Sequence, residues 1–284
     1  PDLLVNHLTV LPMFHLGAFG CLFTWAWTGW AQNLGSLRSF YKDLKRMPSQ
    51  DMAAVPVLVD SIHHDLMTGK QAKLGDLWAL NCMSAMFDPQ ILMDLSAHGI
   101  IVSQLYGTTE TTGGGLINFA TDPEHIGALG KPDGHCEFKL LEDGEICLRG
   151  GDVMLGYYKD PEATAQVIDA EGWFHSGDLA RQDAQGYVFM TGRKKNLIIL
   201  DSGENVSPEE LEGLLEKCPA IKECIVKEKG KKICAVVCCK EADQPAVRDF
   251  ITEVNRTLPL YKRMSAVEFS TEPLPRNAMG KLLR

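Results

Sequence analysis

The sequence predicts an α/β protein in three parts: a parallel-sheet βαβ unit over residues 1–126, a small antiparallel β-barrel-like unit over 127–193, and a compact α+β unit over 194–284. Three observations carry this. Up to about residue 120, short apolar runs alternate with segments of helical period, the pattern of βαβ repeats. From about residue 127 to 193, short alternating runs are separated by Gly-containing turns, which argues for antiparallel strands. Beyond residue 193, helix-start signals and two further alternating runs predict a mixed unit. With 284 residues and 45% hydrophobic content, the chain can support several units with cores of their own.

Taken in order, residues 16–31 form the longest apolar stretch, with Phe19, Phe23, Trp25, Trp27 and Trp30. It falls short of the ~20 apolar residues that cross a bilayer, and no charged segment precedes it as in a signal peptide. A buried helix is expected there. Runs 55–59 and 100–105 read as short buried strands, and 89–98 as a helix carrying Ile91, Leu92 and Leu95 and stopped by Gly99. In the middle part, strands are expected at 137–141, 145–149 and 187–191. They lie among the turns Pro132-Asp133-Gly134, Glu142-Asp143-Gly144 and Asp183-Ala184-Gln185-Gly186. Ser207-Pro208-Glu209-Glu210 then supplies an N-cap serine, a proline at the first helical position and a glutamate at the third. The helix it opens turns Leu211, Leu214 and Leu215 inward and ends near Lys217; strands at 223–227 and 233–240 and a helix near 246–257 follow. A charged, hinge-like stretch at 194–196 marks the boundary before this last unit.

Charge and cysteine usage narrow the function classes. The 28 Lys and Arg against 37 Asp and Glu leave a net charge of −9, without the basic stripe a nucleic-acid binder uses against phosphates. A nucleotide remains admissible, because a few cations and backbone N–H groups suffice for one. Nine cysteines occur, none in a C-x-x-C pair. They read as reduced, buried thiols of a cytoplasmic protein rather than a disulfide framework or a metal site.

Chemistry concentrates in five short motifs: Leu11-Pro12-Met13-Phe14-His15, Tyr106-Gly107-Thr108-Thr109-Glu110, Trp173-Phe174-His175-Ser176-Gly177-Asp178, Gly192-Arg193-Lys194-Lys195 and Asn277-Ala278-Met279-Gly280-Lys281. The second follows an apolar strand, so it stands at a strand's C-terminal end, where open α/β sheets place ligands. Its hydroxyls and carboxylate on a Gly-loosened turn suit a nucleotide–magnesium complex. Glu110 is then a hard oxygen ligand, and Tyr106 an aromatic able to stack on adenine. Read without its neighbours, the same stretch is a Thr/Gly-rich solvent loop. His175, Ser176 and Asp178 do not make a catalytic triad, since neighbours along one strand point to opposite faces. Lys281 is not a Walker lysine, because Pro275 stands at the first glycine position and Leu282 replaces Ser/Thr.

In this order the five motifs resemble the adenylate-forming superfamily, and most of all its acyl-CoA synthetase and fatty-acid–CoA ligase branch. The resemblance runs from about Thr9 to Arg284. It implies that Thr109 meets the phosphates and Glu110 the Mg²⁺, with Tyr106, Gly107 and Thr108 also expected among the cofactor-binding residues. Asp178 then binds the ribose hydroxyls, and Arg193 the ribose or phosphate with its planar fork of donors. The resemblance further implies that His15 borders the acyl pocket and that Lys195 is the hinge of a mobile C-terminal domain at 194–284. Gly203, in Ser202-Gly203-Glu204-Asn205-Val206, would border the thiol tunnel. Lys281 would neutralise charge on the carboxylate and α-phosphate.

Two departures stand out. The small-residue adenine segment corresponds to Asn81-Cys82-Met83-Ser84-Ala85-Met86, without the usual glycine. The family's Gly/Ser/Thr-rich phosphate loop lies ahead of the first motif, and the chain starts at Pro1, downstream of it. An N-terminal half is therefore expected elsewhere, and residues 1–126 are expected to be an incomplete α/β part of the large adenylation domain. The expected activity is ATP-dependent activation of a carboxylic acid, fatty or similarly apolar, to acyl-AMP, followed by thioester formation with coenzyme A. The expected partners are the acid, ATP and CoA, with no nucleic acid and no transmembrane segment. The alternatives are an AMP-binding piece without turnover, and an adenylation domain that loads a carrier protein.

Overall fold

The structure, a computed structural model, describes residues 5–83, 87–200, 203–230, 232–276 and 282–283; the side chains of 24–26 are not described. Two compact units are present, Pro1–Ser176 with Ala180–Met190 and Gly177–Leu179 with Thr191–Arg284. The class is mixed α/β, with a parallel-dominated sheet, an antiparallel sheet and smaller sheets, as the sequence predicts. Among the described residues no helix is long and apolar enough to cross a membrane.

The first unit begins with β1 (Asn6–Thr9), α1 (Leu16–Thr28), β2 (Ala31–Leu34), α2 (Phe40–Arg46), β3 (Asp51–Ala54), α3 (Pro56–Met67), β4 (Ala79–Met83), α4 (Pro89–Ala97) and β5 (Ile101–Gly107). These strands run parallel in the order β2-β1-β3-β4-β5, and β6 (Gly115–Asn118) and β7 (Lys131–Pro132) extend the sheet antiparallel. Leu8, Met52, Leu80 and Cys82 from the strands meet Leu44, Leu58, Ile62, Leu92 and Leu95 from α2, α3 and α4 in the main core. Asp88 caps α4 by accepting from the Gln90 N–H, Pro89 occupies its first turn, and Gly99 at φ +82° reverses the chain after it.

Two expectations are corrected here. Residues 55–59 are not a strand. Pro56 fixes a helical φ at the first position of α3 and holds Val55 extended, so the strand is the preceding Asp51–Ala54. The apolar stretch at 16–31 does form a helix, but not a buried one. Ala18 is buried, whereas Phe19, Phe23 and Trp27 are 48%, 64% and 93% exposed.

A four-stranded sheet follows in the order β11-β10-β9-β8, from β8 (Cys136–Leu140), β9 (Glu145–Gly150), β10 (Phe174–Gln182) and β11 (Val188–Arg193). Helix α5 (Pro161–Val167) lies between β9 and β10, capped by Asp160. Beyond β11, β12 (Ile198–Ile199) and β13 (Asn205–Val206) pair as a hairpin that leads into α6 (Pro208–Leu215). Ser207 Oγ accepts from the Glu210 N–H as the spacing predicts, while the Glu210 carboxylate accepts both 2.7 Å bonds from Lys262 Nζ. Strands β14 (Glu223–Lys229), β15 (Lys232–Cys238) and β16 (Ala266–Ser270) form a sheet, antiparallel then parallel, with α7 (Gln244–Thr257) between β15 and β16. Val206, Leu211, Leu215, Val226, Val237, Val247 and Ile251 make the core of this unit.

Candidate functional site

The Thr/Gly loop begins where β5 ends. Gly107 pairs with Gly115 across β5 and β6, and a side chain at Gly107 would meet the Gly113 carbonyl oxygen at 2.3 Å, so only glycine fits. Buried Thr111 ties the turn together: its Oγ1 accepts from the Thr108 N–H at 3.0 Å and donates to the Gly114 carbonyl at 2.7 Å. Thr109 is exposed and Glu110 half-buried, so the two residues assigned to phosphate and metal stand on the open side of a braced turn. Tyr106 is half-buried at the end of β5 and packs against the cluster of Leu116, Ile146 and Leu148.

A second segment, which none of the five motifs includes, holds this loop. The Met154 N–H donates to the Glu110 carbonyl at 2.7 Å, and Thr112 Oγ1 donates to the Asp152 carbonyl at 2.8 Å. The Tyr157 hydroxyl donates to Glu110 Oε1 at 2.7 Å, and that bond to a carboxylate pushes the phenol up to about 12. The segment's trace in the sequence is the aromatic pair Tyr157-Tyr158 after the apolar run Val153-Met154-Leu155.

His15 precedes the first turn of α1. Its Nδ1 accepts from the Gly17 N–H at 3.1 Å and its carbonyl accepts from Ala18 and Phe19, a helix-start role for this ring. Leu16 lies beside Gly113, since a side chain there would come within 3.6 Å of Leu16 Cδ2. The structure thus brings the start of α1 next to the Thr/Gly loop.

In the second unit, Asp178 is buried and pairs with Arg193, Nε to Oδ1 at 2.9 Å, while the Arg193 side chain is 42% exposed. Lys195 is exposed on a single 3₁₀ turn, Lys194–Asn196, whose Asn196 amide bonds Glu209 at 2.5 Å. Gly203 closes the β12–β13 hairpin at φ +93°, donating to the Leu200 carbonyl at 2.8 Å, a conformation only glycine holds without strain. Lys281, like Asn277, Ala278, Met279 and Gly280, lies outside the described residues, as do Ser202 and residues 84–86.

His175 has its own surroundings. Its Nδ1 lies 3.1 Å from Glu145 Oε2 and 3.6 Å from Cys147 Sγ, and its Nε2 lies 3.3 Å from Asp169 Oδ2. Among the described residues, Glu145, Cys147 and His175 have metal-ligand spacing. Ser176 Oγ donates to the Ile146 carbonyl, so serine and histidine are not a nucleophile–base pair. None of the nine cysteines is in a disulfide, and eight are buried; burial pushes the Cys82 thiol up to about 12.

The model of the AMP-binding enzyme family matches residues 5–158. An indoleacetate–CoA ligase from Aromatoleum aromaticum is 29% identical over 97% of the chain and 57% of its own length. A long-chain-fatty-acid–CoA ligase from Escherichia coli O157:H7 is 29% identical over 98% of the chain and 52% of its own length. The O-succinylbenzoate coenzyme A synthetase of Bacillus subtilis, solved with ATP and magnesium ion, is 26% identical and superposes with a TM-score of 0.85, covering 100% of this chain and 61% of that one. The chain therefore spans just over half the length of the curated relatives it matches. With the family model matching more than half of its residues, the chain belongs to the AMP-binding enzyme family, that of the adenylate-forming CoA ligases.

Proposed function

We propose that the chain carries the nucleotide- and acid-activating machinery of an AMP-forming acyl-CoA ligase of the cytoplasm, acting on a fatty or similarly apolar acid. The observation that carries this reading is the braced Thr108–Glu110 turn at the C-terminal end of β5, with hydroxyls and a carboxylate on its open side. An all-oxygen donor set of Thr109 and Glu110 suits Mg²⁺, which when bound offsets triphosphate charge. Tyr106 would stack on adenine, and Gly107, Thr108 and Thr109 would hold the phosphates. Asp178, oriented by Arg193, would accept from the ribose hydroxyls.

In the first half-reaction a carboxylate oxygen attacks the α-phosphorus and the α–β bridging P–O bond breaks, releasing pyrophosphate. In the second, the CoA thiolate attacks the acyl carbon and AMP leaves. His15 would border the acyl group and Gly203 the thiol path, Lys195 would be the hinge between the two steps, and Lys281 would offset charge at the α-phosphate. The exposed aromatic side of α1 supports an apolar acid.

ATP–pyrophosphate exchange across a panel of acids, in an enzyme that includes this chain, tests the reading. Exchange stimulated by apolar acids is expected, with CoA thioester as the final product. Lys281→Ala should abolish acyl-AMP formation but spare thioester formation from supplied acyl-AMP, and Lys195→Pro should do the reverse. Transfer to a carrier protein with no CoA thioester would favour the loading-domain alternative. AMP binding without exchange would favour the piece without turnover.

A further inference from the structure

Strands β9 and β10 are neighbours in the four-stranded sheet, and side chains two apart on a strand share a face. Ile146 and Leu148 of β9 therefore enter the apolar cluster on one face, while Glu145 and Cys147 stand on the other. His175 of β10 meets them there: its Nδ1 lies 3.1 Å from Glu145 Oε2 and 3.6 Å from Cys147 Sγ. Glu145 and Cys147 are 4% and 0% exposed, and the His175 side chain is 29% exposed. The cluster is thus buried at β9 and reaches solvent at the histidine. A carboxylate taken so far out of water needs positive charge close by. Nδ1 as a hydrogen-bond donor would serve either the carboxylate or the sulfur, whereas a divalent cation is held by all three atoms at once.

The spacing decides which cation. Tetrahedral zinc, with bonds of about 2.3 Å to sulfur and about 2.1 Å to nitrogen and oxygen, sets its ligands about 3.6 Å (N to S) and about 3.4 Å (N to O) apart. The sulfur edge already matches, and the Glu145 carboxylate has to withdraw by only about 0.3 Å to meet the other. Behind the ring stands Asp169. Its Oδ1 accepts from the Glu171 and Trp173 N–H groups at 2.9 Å, and its Oδ2 faces His175 Nε2 at 3.3 Å. A carboxylate that takes the Nε2 proton's hydrogen bond leaves the Nδ1 lone pair for a metal, the usual arrangement around a ligating histidine. Sulfur and imidazole donors select zinc over magnesium, and three protein ligands leave the fourth tetrahedral position to water. We propose that Glu145, Cys147 and His175 bind one Zn²⁺, with Asp169 orienting the histidine, and that the metal clips residues 169–175 to β9. Binding releases the Cys147 thiol proton to solvent and engages the neutral imidazole. Cys147 then parts from the other cysteines, which the sequence reads as plain buried thiols. The inference rests on this cluster alone, and not on the reaction proposed above.

Equilibrium dialysis of the purified, reduced chain against Zn²⁺, with the metal's ligands counted by zinc X-ray absorption, tests it. One tightly held zinc per chain is expected, with a single sulfur among its ligands. Cys147→Ser and His175→Gln should each weaken binding at least tenfold, and Asp169→Asn by about tenfold through the loosened histidine. Cys21→Ser, at a half-buried cysteine of α1, should leave the affinity unchanged. Where a ligand variant fails to fold, the sulfur count on the wild-type chain decides without it. Three results would overturn the proposal: a folded chain that retains no zinc, an affinity indifferent to Cys147→Ser, or a zinc with no sulfur ligand or more than one. Zinc held by nitrogen and oxygen alone would be adventitious binding at the surface.

Discussion

Glu110 shows how much a single side chain depends on a neighbour far along the sequence. Its carboxylate is oriented by Tyr157 and its carbonyl is held by Met154, forty-seven and forty-four positions away. A hydrogen bond to a charged group contributes ~1.5–3 kcal/mol when well buried. Both partners here are partly exposed, so about 1 kcal/mol is the better figure. Tyr157→Phe should therefore speed hydrogen exchange at the Met154 amide by about fivefold while leaving the melting temperature of the protein nearly unchanged. Unaltered exchange at that amide would show that the hydroxyl does not brace the loop. The five motifs, by contrast, were legible as residues, because a Thr/Gly turn with a carboxylate needs no distant partner to be recognised. Tyr157 was not, because only the fold brings β5 and the segment after β9 together.

At the scale of elements, the contact between α3 and α4 carries a pH dependence. His63 Nε2 lies 2.8 Å from Asp94 Oδ2, and the bonds from His63 and Gln90 hold the Asp94 carboxyl below the usual carboxylate range. A lowered folded-state pKa means that the unfolded chain takes up the proton first. The stabilisation is thus complete above the ordinary carboxylate pKa of ~3.9 and is lost as pH falls through the lowered value. Asp94→Asn should lower the urea midpoint at pH 7 and flatten its decline towards pH 3, with the two proteins converging in acid. Parallel curves would remove Asp94 from the account.

Elements with their own punctuation were legible in the sequence: α4 between Asp88-Pro89 and Gly99, and α6 behind Ser207-Pro208. The run at 55–59 was misread because Val55, Val57, Leu58 and Val59 look strand-like by composition, while Pro56 decides for helix through its fixed φ. Helix α1 was misread differently. An apolar stretch without an amphipathic pattern does not say which of its residues pack against the sheet.

At the scale of the whole molecule, the proposed nucleotide roles fall on residues of two compact units, each with its own core. The Thr/Gly loop belongs to the first, and the Asp178–Arg193 pair to the second. The buried thiols and the acidic charge were readable from composition alone, whereas the exposure of Phe19, Phe23 and Trp27 was not, because it follows from how α1 sits on the sheet. The proposal that the chain binds an adenine nucleotide through Asp178 is tested by calorimetric titration of AMP into the purified chain, wild type against Asp178→Ala. Saturable binding to the wild type is expected, with at least a tenfold loss in the variant, from removal of the carboxylate proposed for the ribose hydroxyls. A folded wild-type chain that gives no AMP binding, or an Asp178→Ala variant that binds as tightly, would contradict it.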